Sequence, residues 1–124
     1  MPTYSAQLLQ YLDSLVKKTQ DEVIAWDALN PSTYGVVVPS ANARLILQRT
    51  SVSRRAIMTS NGPVMEPVYT YVFQLLEMPN NRIALNISAG LTDPAYAALN
   101  TLFVTIEDRG KKLGVDLLRK IIEQ

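Results

Sequence analysis

Carboxylates, lysines, arginines and hydroxyls are the side chains left to do chemistry in this sequence, because its 124 residues include no histidine and no cysteine. The commonest zinc ligands and the commonest general base are therefore missing, as are thiolate nucleophiles and disulfides. The short glycine-rich loops that bind phosphates and the G-x-S-x-G turn do not occur either. These absences favour a protein that is not an enzyme and that carries no cofactor.

Acidic residues gather in two places. Asp21, Glu22 and Asp27 lie close together in the first third of the chain, and Glu107 is followed by Asp108. Such groups can hold Mg²⁺ or Ca²⁺ or supply an acid and base pair. Neither has the alternating ligand spacing of a calcium-binding loop, and both are typical of a solvated helix surface. We therefore assign no catalytic, cofactor-binding or metal site.

Five basic residues form a weak candidate patch for phosphates: Arg54, Arg55, Arg109, Lys111 and Lys112. The formal net charge of +1 gives no general field that would attract nucleic acid, so any such binding must be local. Cations near a helix C-terminus also complement its dipole without any ligand. A nucleic-acid-associated or regulatory protein is the alternative hypothesis, and it predicts binding that weakens steeply with salt.

One segment has two distinct faces. Tyr69, Tyr71 and Phe73 alternate along it and therefore share one face of a strand. They are suited to stacking on bases, but such a stripe is more typical of a sheet's core face. We favour the core interpretation, with packing partners at Trp26, Tyr96 and Phe103.

The opposite face of the same strand is more apolar than a solvated surface requires, and it comprises Val68, Thr70, Val72, Gln74 and Leu76. An apolar outer face invites a protein partner. The leading hypothesis is therefore a non-enzymatic protein-interaction module whose partner is a second copy, so that the protein is a homodimer.

The elements that position these residues begin with a helix. Its apolar face is formed by side chains at spacings of three and four, behind Ser5 as N-cap: Leu8, Leu12, Leu15, Val16 and Thr19. The same spacing continues to Val23 and Trp26, so the helix runs either to about Ala28 or only to the polar residues 19–22. Pro31 lies beyond both ends.

Two hairpins follow. Residues 34–38 and 44–50 pair across a turn at 39–42, and residues 68–77 pair with 82–88 across Pro79, Asn80 and Asn81. Ile83, Leu85 and Ile87 alternate with polar or small residues and are predicted to share the buried face. The mixed composition of residues 51–66 predicts a long, irregular connection between the hairpins.

Asp93 and Pro94 form a strong start signal for a final helix, whose stripe comprises Tyr96, Leu99, Phe103 and Ile106. Uninterrupted spacing through Leu113 and Leu117 would extend this helix. We favour a break at Gly110, because Gly110 and Gly114 each cost a helix about 1 kcal/mol relative to alanine. A shorter helix would then carry Val115, Leu118, Ile121 and Ile122.

The predicted fold class is α+β: one domain over residues 1–124, ordered α-ββ-ββ-α with a possible further helix. Both helical ends pack on one face of an antiparallel four-stranded sheet. A hydrophobic content of 48% is enough for one core. The first 16 residues lack the form of a signal peptide, and no apolar run reaches about 18 residues, so we expect a cytoplasmic protein with no membrane partner.

Thr19 followed by Trp26, the aromatic-rich central strand, and Asp93 with Pro94 ahead of a helical stripe together resemble a loose group of small uncharacterised bacterial and phage-associated αββββα proteins. That stripe comprises Tyr96, Leu99, Leu102 and Phe103. The resemblance covers most of the chain and implies the fold. It carries no activity, and residues 51–66 are longer than its pattern expects.

Overall fold

Two helices and five strands make up the part of the chain that a computed structural model describes, residues 6–124 without the side chains of Val52 and Ser53. In chain order they are α1 (Ala6–Gln20), β1 (Asp27–Asn30), β2 (Thr33–Val38), β3 (Ala43–Thr59), β4 (Gly62–Glu77), β5 (Arg82–Ala89) and α2 (Tyr96–Ile122). The strands form one antiparallel sheet in the order β1-β2-β3-β4-β5. The α+β class and both predicted hairpins are confirmed, whereas the predicted strand number of four is wrong.

The core lies between the two helices and one face of the sheet. Tyr71 of β4 is fully buried, and its ring centroid lies 5.4 Å from that of Tyr96 and 5.8 Å from that of Phe103. Phe103 also lies 5.0 Å from Tyr34 of β2. The face that carries Tyr69, Tyr71 and Phe73 is therefore the core face, as the sequence predicted. The remaining buried apolar side chains come from every layer: Leu12, Val16, Leu45, Leu47, Phe73, Ile87, Leu99, Leu102 and Ile106.

The fifth strand, β1, lies where the longer version of the first helix was predicted. The helix ends at Gln20, and Glu22 then adopts a left-handed conformation with φ 65°. The N–H of Val23 donates to the carbonyl of Lys18, a bond that closes the helix end. The backbone beyond it pairs with β2, so the prediction of a helix to Ala28 is wrong and the shorter alternative is confirmed. The predicted N-cap, Ser5, lies outside the described residues.

Residues 51–66 are not an irregular connection but the far half of the β3–β4 hairpin. The two strands stay paired from Arg54 opposite Pro67 to Thr59 opposite Gly62, across a two-residue turn. Gly62 has φ +107°, a conformation that side chains disfavour. Along this stretch β3 no longer pairs with β2, and β4 no longer pairs with β5. Residues 54–67 therefore form a two-stranded extension of the sheet, which we call the arm.

α2 is one helix of 27 residues, about 40 Å long, and the predicted break at Gly110 is wrong. Continuing a helix avoids the cost of nucleating a second one, and leucine, lysine and arginine around the glycines favour propagation. The predicted start is two residues early: Ala95, not Asp93, is the N-cap and makes no side-chain cap bond, and Pro94 lies in the preceding turn. The Asp93 carboxylate accepts the N–H of Ala95 at 3.0 Å, in the turn that leads into the helix at Tyr96.

Candidate interaction surface

The outer face of the sheet carries the five residues predicted as an interface, but polar residues divide it. Val68, Thr70, Val72 and Gln74 are half-buried and Leu76 is buried. Polar neighbours stand in register with them: Gln48 and Ser88 beside Val72, and Asn86 beside Gln74. The side-chain amide of Gln74 donates through Nε2 to the side-chain oxygen Oδ1 of Asn86 at 3.1 Å. This face is therefore less apolar than the strand alone suggested.

An irregular register in β5 moves one apolar residue onto this outer face. Leu85 pairs with Leu75, but the next pair joins Ile83 to Leu76, so the intervening residue of β5 is a bulge. A one-residue shift turns every following side chain to the other face. Ile83 is 56% exposed, so its predicted place beside Leu85 and Ile87 on the buried face is wrong.

The most exposed continuous apolar surface lies on the last turns of α2. The final buried residue of this helix is Ile106, and residues 111–122, which we call the α2 end, extend beyond the core for about 18 Å. The α2 end carries six large apolar side chains, each more than half exposed: Leu113 62%, Val115 65%, Leu117 60%, Leu118 55%, Ile121 57% and Ile122 73%.

These six side chains share one side of the helix. At 100° per residue they span an arc of about 200°, which also contains Lys111, and the other charged side chains fill the remainder. The charged set comprises Lys112, Asp116, Arg119, Lys120 and Glu123. Helices with such a division normally bury their apolar arc. The α2 end therefore has the composition of a packed helix on a surface that this protomer leaves uncovered.

A cavity of about 130 Å³, which we call the Trp26 pocket, opens beside the start of the α2 end. Its lining includes Thr19, Trp26, Tyr34, Gly110 and Leu113. The wall is held by hydrogen bonds: Trp26 Nε1 donates to Thr19 Oγ1 at 3.1 Å, and that hydroxyl donates to the Leu15 carbonyl at 2.9 Å. The absent side chain of Gly110 leaves room on the helix side of the pocket, since a Cβ there would meet no atom within 4 Å.

Charged groups at the rim of this pocket are paired. Arg109 Nη1 lies 2.9 Å from Glu22 Oε1, and this hydrogen bond and charge lower the pKa of the Glu22 carboxyl. Because the pKa of Glu22 is lower in the folded state, the ion pair stabilises the fold at pH values above the ordinary carboxyl pKa. This stabilisation is lost as the pH falls through the lowered pKa. Burial raises the pKa of Tyr34, with a smaller contribution in the same direction from Glu107.

Arg49 places its charged side chain against the rings of the aromatic core. Its guanidinium carbon lies 4.3 Å from the ring centroid of Tyr69 and 4.2 Å from that of Phe103, and Nη2 lies 3.7 Å from Glu107 Oε2. The core-facing side of β3 is therefore the one that carries Leu45, Leu47 and Arg49. In the described part of the chain, no three acidic side chains come close enough to hold a metal ion.

The structure does not bring the five basic residues together. Arg55 lines a second cavity with Tyr96 and Asn100, near the start of α2, and its Nε lies 2.6 Å from Glu66 Oε1. Arg109 lies about 14 Å farther along the helix than Asn100. Arg54 is exposed on the arm, and Lys111 and Lys112 are exposed on the α2 end. Two of the five cations are thus paired with glutamates and the set is divided between two regions.

Comparison with protein-family models, with curated proteins and with solved structures gave no match for this chain. Across residues 6–124, neither helix combines the length and the apolar character that crossing a membrane would require.

The exposed arc of the α2 end is the feature that sequence reasoning missed. Val115, Leu118, Ile121 and Ile122 were predicted as the stripe of a packed helix, and packed and unpacked stripes have the same spacing. The arc width is the signal that could have distinguished them. The apolar arc of the α2 end, about 200°, is broader than the arc of the stripe through Leu99 and Ile106, which packs against the sheet.

The wall of the Trp26 pocket depends on the Thr19 hydroxyl, which gives a testable prediction. Thr19→Val keeps the shape of the side chain but leaves the Trp26 N–H without its acceptor, so we expect the free energy of unfolding to fall by about 1–3 kcal/mol. Urea denaturation measures this change. Thr105→Val is the matched control, since its hydroxyl makes the same helical bond, to Thr101, on the exposed side of α2. Equal effects of the two substitutions would contradict the assignment.

Proposed function

We propose that this protein is a non-enzymatic interaction module that associates with a second copy of itself through the α2 end. One observation carries the proposal: six large apolar side chains on one arc, each more than half exposed. Together they present on the order of 600 Å² of apolar surface, and monomeric proteins rarely expose larger continuous patches. A typical stable interface buries about 800 Å² per partner, so this arc supplies most of one.

Two properties favour a second copy as the partner. Homo-oligomers with two-fold symmetry are the commonest soluble assemblies, and a two-fold axis brings the same patch of both copies together. The formal net charge of +1 creates little repulsion between copies. Burying the arc in this way removes it from water on both copies at once.

The α2 end is a better interface than the outer sheet face. Among the five residues first predicted there, Leu76 is already buried and Gln74 is hydrogen-bonded within the sheet. Polar neighbours also interrupt that face, whereas the arc of the α2 end contains only apolar side chains and glycine apart from Lys111 at its start. We therefore place the interface on the helix, with the sheet face as the surface to be compared in experiments.

The nucleic-acid hypothesis receives less support from the geometry. The two glutamate-paired arginines, Arg55 and Arg109, have part of their charge compensated, and the five cations do not form one continuous surface. A phosphate-binding site gains its affinity from several cations that act on neighbouring phosphates.

Sedimentation equilibrium tests the proposal directly. We expect a monomer–dimer equilibrium with a dimer predominating at roughly 50 µM, as a micromolar dissociation constant implies. A strict monomer at that concentration would refute self-association. The same preparation should be mixed with duplex DNA and with single-stranded RNA at low ionic strength. Retardation that disappears with added salt would instead support the alternative hypothesis.

A further inference from the structure

We propose that the two copies pack their α2 ends antiparallel, and that Ile121 of each copy enters the Trp26 pocket of the other while Ile122 packs at its mouth. This inference rests on the proposed self-association and adds its geometry. It assigns the Trp26 pocket as a receptor for apolar side chains of the second copy. The site is thus incomplete in a single protomer.

The pocket and the exposed arc form one continuous surface. Gly110 and Leu113 line the pocket, and Leu113 is also the first large apolar residue of the α2 end. Trp26 is only half-buried, so a side chain arriving along the helix can contact its ring. A partner that covers the arc therefore reaches the pocket along the side of α2 that carries Gly110 and Leu113.

Antiparallel pairing brings the tip of one helix to the pocket of the other. If the two-fold axis passes near Leu117, the middle of the α2 end, residues equally far before and after Leu117 face each other. Leu113 then faces Ile121 of the second copy, and Ile122 of that copy lies level with Lys112 along the helix. Both isoleucines consequently arrive beside Gly110 and Leu113, where the pocket opens.

The size of the pocket suits one such side chain. An apolar cavity of about 150 Å³ can take up benzene, which has six carbons, and the side chain of isoleucine has four. The cavity here measures about 130 Å³.

Charge and arc width also favour this orientation. Antiparallel packing separates the lysines at 111 and 112 of the two copies along the helices, whereas parallel packing would set each lysine beside its own counterpart. Antiparallel helices also oppose their dipoles favourably. An arc of about 200° is wider than one neighbouring helix covers, and the body of the second copy beside its pocket covers the remainder.

Cysteine cross-linking tests the register, since the chain has no cysteine of its own and each introduced thiol is unique. The variants are Leu113→Cys, Leu117→Cys and Ile121→Cys, all on exposed positions that do not disturb the core. Under mild oxidation we expect Leu117→Cys to form a disulfide dimer with itself. Leu113→Cys and Ile121→Cys should each remain largely uncross-linked alone and should cross-link when mixed, one of them carrying a size tag.

The expected pattern follows from distance. Two copies of residue 113 would lie about 12 Å apart along the antiparallel helices, beyond the Cα separation of about 7 Å that a disulfide spans. Self-linking of all three variants would show parallel packing and overturn the inference. A dimer in sedimentation with no cross-link in any variant would also overturn it while leaving self-association intact. A wild-type monomer would instead refute the proposed function.

The only tryptophan in the chain reports on the pocket itself. Acrylamide should quench Trp26 fluorescence at least about twofold less at protein concentrations above the dimerisation midpoint than below it. The reason is that the partner's side chain shields the ring in the dimer. In Ile121→Ala/Ile122→Ala this protection should be lost at protein concentrations that still give dimer. Unchanged quenching across the wild-type transition would overturn insertion into the pocket.

Discussion

Replacing Leu117 with lysine is expected to leave the protomer folded and to weaken self-association by at least about 100-fold, which corresponds to roughly 2.7 kcal/mol. Leu117 lies at the middle of the exposed arc, and a lysine there would be buried by the second copy without a partner for its charge. Because Leu117 is 60% exposed in the protomer, the substitution removes no core contact. Sedimentation equilibrium measures the dissociation constant, and circular dichroism checks the fold.

Two controls make this result specific. Val104→Lys places the same charge on α2 at a partly exposed apolar position outside the α2 end, and we expect it to leave dimerisation unchanged. Val72→Lys places it on the outer sheet face. Dissociation by Val72→Lys but not by Leu117→Lys would show that the interface lies on the sheet.

Replacing Phe103 with alanine is expected to lower the free energy of unfolding by about 3–5 kcal/mol, a large part of the 5–15 kcal/mol typical of a domain. Phe103 is fully buried and contacts the rings of Tyr34 and Tyr71. The substitution leaves a cavity and also removes the face on which the Arg49 guanidinium lies. Its cost therefore combines lost packing with a partly buried charge that has lost a contact.

Urea denaturation with circular dichroism detection measures this loss. Val104→Ala is the neighbouring control, since its partly exposed side chain should cost less than about 1 kcal/mol. Equal midpoints for the two variants would show that Phe103 is not the central packing residue. The measurement should be made below the dimerisation midpoint, because dimer formation adds to apparent stability.

Local patterns predicted those parts of the fold whose residues determine their own conformation. The alternation along residues 68–77 and 82–88 predicted the β4–β5 hairpin, and Asp93 with Pro94 predicted the start of α2 to within two residues. β1 was missed because its four residues are a strand only through pairing with β2. Its residue Leu29 lies over Gly35, where a Cβ would come within 3.0 Å of Leu29 Cδ1. No local propensity reveals such a contact.

The arm and the length of α2 were missed for different reasons. Asn61 followed by Gly62 is a strong hairpin signal, but the irregular composition on both sides of it obscured the pattern. The prediction of a break at Gly110 considered the free-energy cost of glycine within a helix but not the larger cost of nucleating a second helix. The prediction for β5 took strict alternation to mean regular pairing with β4, so it did not include the bulge that exposes Ile83.

The candidate site could be predicted only in part. The sequence indicated an uncovered apolar surface and the hypothesis of self-association, but it placed that surface on the sheet. Which apolar stripe remains uncovered depends on where the core ends, and the last buried residue of α2 is Ile106. The pocket beside Trp26 likewise needs Thr19, Tyr34 and Gly110 brought together from three elements.

The arm has a consequence for the behaviour of this protein in concentrated solution. Pro63 and Pro67 stand opposite Met58 and Arg54. They are four residues apart, so their backbone nitrogens point to the same side of β4, the side away from β3. Proline has no N–H, and a strand from another molecule would find two missing donors along that edge. Exposed Met65 and Val64 therefore lie on a strand whose free edge disfavours pairing with a strand of another molecule.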